Sequence, residues 1–440
     1  MVEDEPYGKR SRIMFVVKRR GIYVGLLVLV LAPAVALGLV AGAEPGLAQP
    51  PIRIGLIDTY TGPVALGFAD PAKYSWEMVV DEFNAKGGLN GRKIELLTCD
   101  DRYSPKAGVA CAEELAKKGV DFFAGTSMTD VGLAISEWAR RNKRLYIAHV
   151  CASHQLTEDF GHRYCFHTQQ NVAMVARAGA RYAYYRRFKK WYILDENNPF
   201  GKHLARIFWD RLKELIPDAV RMKASTFERG TTNFGPYIED ILQVKPVAVL
   251  AAVSPKGMIA FVRQANKAGL FSKTHVIMPA MADPIFSFIL KDDMPSGKAY
   301  GETAYLYYWP DTPENREFVE KWTKFAKSRG ASEAMPPGLG AFGGYCAAKF
   351  LTEAILKAGS TDTEKVIDAL EGLTIRGPRG PVTLRACDHQ MITSSIWGRL
   401  DKVPGHRWPI LASPYTVDPK MQEQLMGSCE EVLATRRPRE

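Results

Sequence analysis

Residues 82–101 read EFNAKGGLNGRKIELLTCDD, and two glycine signals within them fix the course of the chain. An amphipathic helix ending at Phe83-Asn84 runs into Lys86-Gly87-Gly88, where glycine accepts the positive φ that stops a helix. Leu89 follows, then Asn90-Gly91, a tight-turn dipeptide. Lys93-Ile94-Glu95-Leu96-Leu97 is a strand closing on the acidic pair Asp100-Asp101. Upstream, Ile52-Arg53-Ile54-Gly55-Leu56-Ile57 is a short β run followed by the breaker-rich Thr59-Tyr60-Thr61-Gly62-Pro63. Strand, Gly-Pro loop, helix, glycine stop and strand form the opening βαβ unit of a parallel sheet, so the chain is expected to be α/β.

The alternation continues. Strands are expected at 120–125, 145–148, 191–194, 248–251, 276–278 and 395–400. Helices are expected at 131–140, 172–185, from 202, and at 257–268, 314–328 and 342–358. This pattern alone shows α/β with two sheets. About 390 residues beyond the N-terminal segment exceed one ordinary core and suit two lobes.

That N-terminal segment has its own signature. Lys9, Arg10, Arg12, Lys18, Arg19 and Arg20 precede an apolar stretch over 22–40, with small-residue sites at 41–43 and 46–48. A basic region, an apolar core and an A-x-A-like end predict a secretory signal peptide over 1–48. An uncleaved membrane anchor is the alternative. Net charge is +10, and the first 48 residues hold six Lys/Arg against four Asp/Glu, leaving +8 beyond them. The positive charge is scattered and the expected compartment is outside the cytoplasm, so no nucleic-acid partner is expected. Residues 431–440 read as a solvated basic tail.

Seven cysteines in an exported chain allow disulfides and leave one odd thiol. Cys151 with Cys165, Cys387 with Cys429, and Cys99 with Cys111 are the candidate pairs. Cys151-x-x-His154 and His162-x-x-Cys165 mimic a zinc arrangement, but their separation is short for one and an oxidising compartment favours a disulfide. Gly338-x-Gly340-x-x-Gly343 matches a dinucleotide fingerprint, yet it follows Pro336-Pro337 instead of a strand. His389 has no nucleophile partner visible in sequence and reads as a satisfied turn histidine. Neither a catalytic function nor a cofactor or metal is expected.

What recurs is hydroxyl-rich turns at the C-terminal ends of strands, where open parallel sheets bind ligands. Thr126-Ser127-Met128-Thr129-Asp130 lies between a strand and a helix, so hydroxyls and helix-start amides can hold a carboxylate. Ala152-Ser153 follows the next strand in the same way.

The Thr61-Gly62-Pro63 loop, the Asn84-x-x-Gly87-Gly88-Leu89-Asn90-Gly91-Arg92 run and the Asp100-Asp101 strand end resemble the leucine/isoleucine/valine-binding proteins. These are extracytoplasmic receptors of ABC transporters with the type I periplasmic binding fold. The resemblance implies two Rossmann-like lobes joined by three crossing segments, with lobe 1 at 52–168 plus 306–382 and lobe 2 at 169–305 plus 383–430. It places one crossing at 166–168, a return over 300–309 and a third beginning at 380–384. It also implies a monomer that closes its lobes over a small carboxylate-bearing ligand and serves an inner-membrane permease.

Carried over residue by residue, the ligand-binding positions are Thr61, Thr129, Ser153 and Phe200, the last standing where the family's second-lobe turn has a tyrosine. The family's ammonium-binding Tyr and Glu fall on Ser254 and Ala280, and Asp283 is a candidate substitute acid. A buried ammonium without a carboxylate is costly, so an aromatic or short aliphatic carboxylate without an α-amino group is expected, with an amino acid held through Asp283 the alternative. Tyr60, Phe68 and Tyr103 are candidate contacts for a ring.

Overall fold

A computed structural model describes residues 50–62, 65–332 and 335–436. The segment read as a signal lies outside them, and no helix among the described residues is long and apolar enough to cross a membrane. In chain order the first lobe comprises β1 Ile52–Asp58, α1 Asp70–Ala85, β2 Ile94–Asp100, α2 Pro105–Lys117, β3 Phe122–Gly125, α3 Thr129–Arg141, β4 Tyr146–Ala148 and β5 Cys165–His167. Its strands form one sheet in the order β2-β1-β3-β4-β5, parallel throughout.

The second lobe begins with α4 Val172–Tyr185, β6 Lys190–Glu196, α5 Pro199–Leu215, β7 Val220–Phe227, α6 Gly235–Val244 and β8 Ala248–Ala252. It continues with α7 Pro255–Lys267, β9 His275–Met278, α8 Pro284–Leu290 and β10 Ala299–Thr303. The chain then returns to the first lobe with α9 Pro313–Ser328, α10 Leu339–Ala358 and α11 Thr363–Leu370. A small antiparallel sheet follows: β11 Thr374–Gly377, β12 Gly380–Leu384 and β13 Met391–Ile392. Finally β14 Ser395–Asp401 and β15 Ile410–Val417 join the second sheet, whose order is β15-β14-β10-β9-β8-β6-β7, ahead of α12 Pro419–Met426 and α13 Cys429–Ala434.

Strand order reverses between β1 and β3 in one sheet and between β6 and β8 in the other. A crevice opens outside the strand ends at such reversals. The α/β, two-lobed expectation is therefore met, with three corrections in detail. Residues 380–384 are β12, inside the antiparallel sheet, and the third passage between lobes comes later, at 393–394. The basic tail begins later too, because 431–434 belong to α13. Cys151 and Cys165 are both buried and not disulfide-bonded. Cys151 Sγ packs instead into a notch on α3, where a Cβ at Gly132 would lie 2.6 Å from it. Cys99–Cys111 and Cys387–Cys429 are the disulfides formed.

The Gly338-x-Gly340-x-x-Gly343 run sits at the start of α10, where it serves close packing. A Cβ on Gly340 would meet Phe68 O at 2.5 Å, on Gly343 His149 O at 2.1 Å and on Gly344 Ala72 O at 2.5 Å. Glycine lets α10 lie against α1 and the end of β4 at backbone distance. His389 is a turn histidine, with Nδ1 3.1 Å from Cys165 O and its ring stacked on Phe166 at 4.0 Å.

Two buried side chains tie the crossings together. Glu302, at the end of β10, accepts from Gln170 of the first crossing, from Ser395 Oγ at 3.0 Å beside the third, and from Ala280 N at 3.3 Å. Gln390 donates to Gln169 O at 2.6 Å, and its oxygen lies 2.9 Å from His167 Nδ1 and 3.1 Å from Asn171 Nδ2.

Candidate ligand-binding site

At the first sheet's reversal, Asp58 organises the loop after β3. Its Oδ1 accepts from Thr59 N at 2.8 Å and Ser127 N at 2.7 Å, and its Oδ2 lies 2.8 Å from His149 Nε2. Trp76 Nε1, which can only donate, approaches His149 Nδ1 at 3.1 Å. The Nδ1 must therefore accept, which leaves the imidazole proton on Nε2, facing Asp58. Asp101 braces the same loop, accepting from Thr59 Oγ1 at 2.6 Å and from Thr126 Oγ1. Burial pushes the Asp101 carboxyl up to about 6, against hydrogen bonds from Thr126 and Thr59 that pull it down. Both acids face loop amides and hydroxyls.

The loop so held presents Ser127, Met128 and Thr129 to a cavity of about 100 Å³ between the lobes. The Ser127 Oγ is buried without a partner. Thr129 is only 9% exposed, and its hydroxyl has no hydrogen-bond partner among the described residues. Phe68, Val150, Ala152 and Leu339 complete this wall. The opposite wall comes from the strand ends of the second lobe: Asn198 and Phe200 after β6, Val253 to Met258 after β8, and Pro279 and Ala280 after β9. Glu196 Oε2 accepts from Ser254 N at 2.8 Å and fixes that loop as Asp58 fixes its counterpart.

Helix termini give the cavity its polarity. The α5 start is capped by its own Asn198, whose Oδ1 accepts from Gly201 N at 2.8 Å. By contrast, Met128 and Ser254, the N-cap residues of α3 and α7, place no side-chain acceptor on their helices. Each uncapped end offers free amides and a positive partial charge, one from each lobe. Arg229, in the loop after β7, also lines the cavity and reaches across to Asp130, Nη1 to Oδ2 at 2.9 Å. No acidic side chain lines the cavity among the described residues.

Of the residues expected from sequence, Phe68, Thr129, Phe200 and Ser254 meet around this cavity. Ser153 does not: it is buried, its hydroxyl accepts from Gln155 N at 3.2 Å, and its neighbour Ala152 takes the wall position. Asp283 is also off the wall, fully buried and accepting from Leu339 N at 2.6 Å, Ile285 N at 3.0 Å and Thr303 Oγ1 at 3.3 Å. It holds the start of α10 in place and leaves no acid at the position proposed for an ammonium. Thr61 is exposed. The Tyr60 ring lies under Lys73 Nζ at 5.4 Å, outside the cavity. Tyr103 is likewise outside, its Oη buried and unpartnered and its phenol pushed up to about 12 by burial. Ser127, Asn198 and Arg229 were not singled out; Ser127 carried the same signal as Thr129, whereas nothing local marks Arg229.

The family model described as periplasmic binding protein matches residues 51–403. A Leu/Ile/Val-binding protein of Rhizobium johnstonii is 30% identical over 202 residues, which is 44% of this chain and 54% of the relative. That alignment spans little more than half the relative's length. A leucine-, isoleucine-, valine-, threonine- and alanine-binding protein of Pseudomonas aeruginosa is 24% identical over 349 residues, 78% of this chain and 88% of the relative. Among solved structures, a solute-binding protein of an ABC transporter from Rhodopseudomonas palustris BisB5, in complex with 3,4-dihydroxybenzoic acid, has a TM-score of 0.73 at 23% identity. It covers 84% of this chain and 98% of its own. An ABC-type branched-chain amino acid transporter protein from Rhodopseudomonas palustris CGA009 gives 0.67 at 24%, covering 88% and 100%. At these identities the structures speak for the fold.

The chain belongs to the family of periplasmic binding proteins. Members of this family bind small molecules for ABC transporters, and its homologues here are solute-binding proteins, not enzymes.

Proposed function

We propose that the protein is the monomeric extracytoplasmic receptor of an ABC importer and closes its lobes over a small carboxylate with an apolar body and no α-amino group. The observation that carries this reading is the one-sided chemistry of the cavity. Its polar groups are hydroxyls, free helix-start amides and the Asn198 carboxamide, the Arg229 guanidinium at its edge is paired with Asp130, its walls are otherwise mostly apolar, and no acid lines it. A carboxylate finds donors there, whereas an ammonium would be buried unpaired. Relatives named for branched-chain amino acids and a structural neighbour holding a dihydroxybenzoic acid bracket the ligand, and the missing acid favours the second kind.

The test is calorimetry across matched pairs: isovalerate and 4-methylvalerate against valine and leucine, with benzoate and 4-hydroxybenzoate beside them. One or more of the acids lacking an amino group should bind at least tenfold more tightly than the amino acids. Tighter binding of leucine or valine would overturn the reading. In the same assay Thr129→Ala should weaken the preferred carboxylate by about 1.5 kcal/mol, near tenfold, because a charged acceptor loses a donor. Unchanged affinity in a folded Thr129→Ala protein would make that hydroxyl purely structural.

A further inference from the structure

Arg229 and Asp130 do more to the cavity than bridge its edges, because they determine the charge a ligand meets there. Arg229 belongs to the second lobe and lines the cavity. Asp130 belongs to the first turn of α3, and the two meet at 2.9 Å. The pair is partly shielded, with side chains 39% and 23% exposed, and Asp130 Oδ1 is buried without a partner. Their unit charges cancel. What remains is two uncapped helix starts, each equivalent to about half a positive charge, and the hydroxyls of Ser127, buried without a partner, and Thr129, which lines the cavity. The sum is close to one positive charge, matched by a single carboxylate.

We propose that the Arg229–Asp130 pair sets the ligand charge at minus one, so that the cleft selects monocarboxylates over dicarboxylates. The inference rests on the carboxylate reading above. A second carboxylate on the ligand would find no free cation, and the two helix ends together supply about one positive charge against two negative ones, so much of its desolvation would go uncompensated. Asp130 also keeps Arg229 from acting as an independent anion site. An ordinary solvent-exposed ion pair would have no such effect on ligand choice.

Four proteins test this at low salt, where partly exposed charges are least screened: wild type, Asp130→Asn, Arg229→Gln and the double variant. With benzoate or isovalerate, whichever binds, Arg229→Gln should lose at least tenfold in affinity, because Asp130 becomes an uncompensated negative charge. The double variant should recover to within about threefold of wild type, since the net charge is restored. With the near-isosteric pairs terephthalate against 4-carbamoylbenzoate and glutarate against glutaramate, wild type should favour the monoanion at least tenfold. Asp130→Asn should narrow or reverse that ratio.

A double variant as weak as Arg229→Gln would show that the guanidinium acts by direct contact alone, and would overturn the proposal. So would an unchanged mono-to-dianion ratio in Asp130→Asn. If wild type binds carboxylates while either of these results appears, only this inference falls. If wild type binds no carboxylate at all, the functional reading falls and takes this one with it.

Discussion

Gly343→Ala is expected to cost about 3 kcal/mol or more of stability and to remove ligand binding along with it. The substituted Cβ would stand 2.1 Å from His149 O and 3.1 Å from Gln169 Nε2. The first of these is backbone at the end of β4, which cannot swing aside as a flexible side chain does. Either α10 lifts off α1, opening the core beneath Trp76 and Phe342, or residue 149 moves. Moving His149 breaks its 2.8 Å contact with Asp58, and Asp58 positions Ser127 at the cavity. Thermal melts followed by circular dichroism, with a ligand titration on whatever remains folded, read both effects. A melt superimposable on wild type would show that α10 does not approach this closely.

Glu302→Gln should raise stability relative to wild type progressively between pH 4.5 and 7, by about 3 kcal/mol in all. Burial pushes the Glu302 carboxyl from 4.5 to about 7, although Gln170, Ser395 and Ala280 donate to it. The folded state thus holds a proton that the unfolded chain releases at lower pH. Stability from this group is fully present below pH 4.5 and lost as pH rises through about 7, at about 1.4 kcal/mol for each pH unit crossed between the two. Glutamine does not titrate, so all other groups cancel in the comparison. Its amide also loses one acceptor, which sets a constant offset but no slope. Urea unfolding of both proteins at pH 5, 6, 7 and 8 measures the difference. Parallel curves would mean that Glu302 is ionised across this range in the folded protein.

The sequence revealed elements whose signals are local. Gly87-Gly88 and Asn90-Gly91 stop and turn the chain within a few residues, so β1, α1 and β2 could be read directly. The turn after β3 was also legible as a turn, because hydroxyls between a strand and a helix mark a strand end that caps a helix or faces the cleft, and Ser127 and Thr129 line the cavity. Edge strands were harder: β7 runs mostly exposed, with Val220, Arg221, Met222 and Lys223 all at the surface, so it lacks the apolar run that marks β6 and β8. Ser153 and Asp283 lie off the cavity wall for a shared reason. Each has the side chain a ligand would need, yet each is saturated by backbone amides two residues on, which spacing alone does not disclose. Arg229 was missed because its role depends on a partner 99 residues earlier in the chain.

On the proposed carboxylate reading, the division of the two uncapped helix starts between the lobes has a consequence for unloading. Neither half of the molecule carries the whole attraction: α3 supplies one positive helix end and α7 the other. Pulling the halves apart forfeits one helix end, up to about 2 kcal/mol in a partly buried setting, together with one apolar wall. No proton, competing ion or chemical change is then required to let the cargo go. On that reading affinity is a function of the gap between two sheets, and widening the gap is expected to lower it.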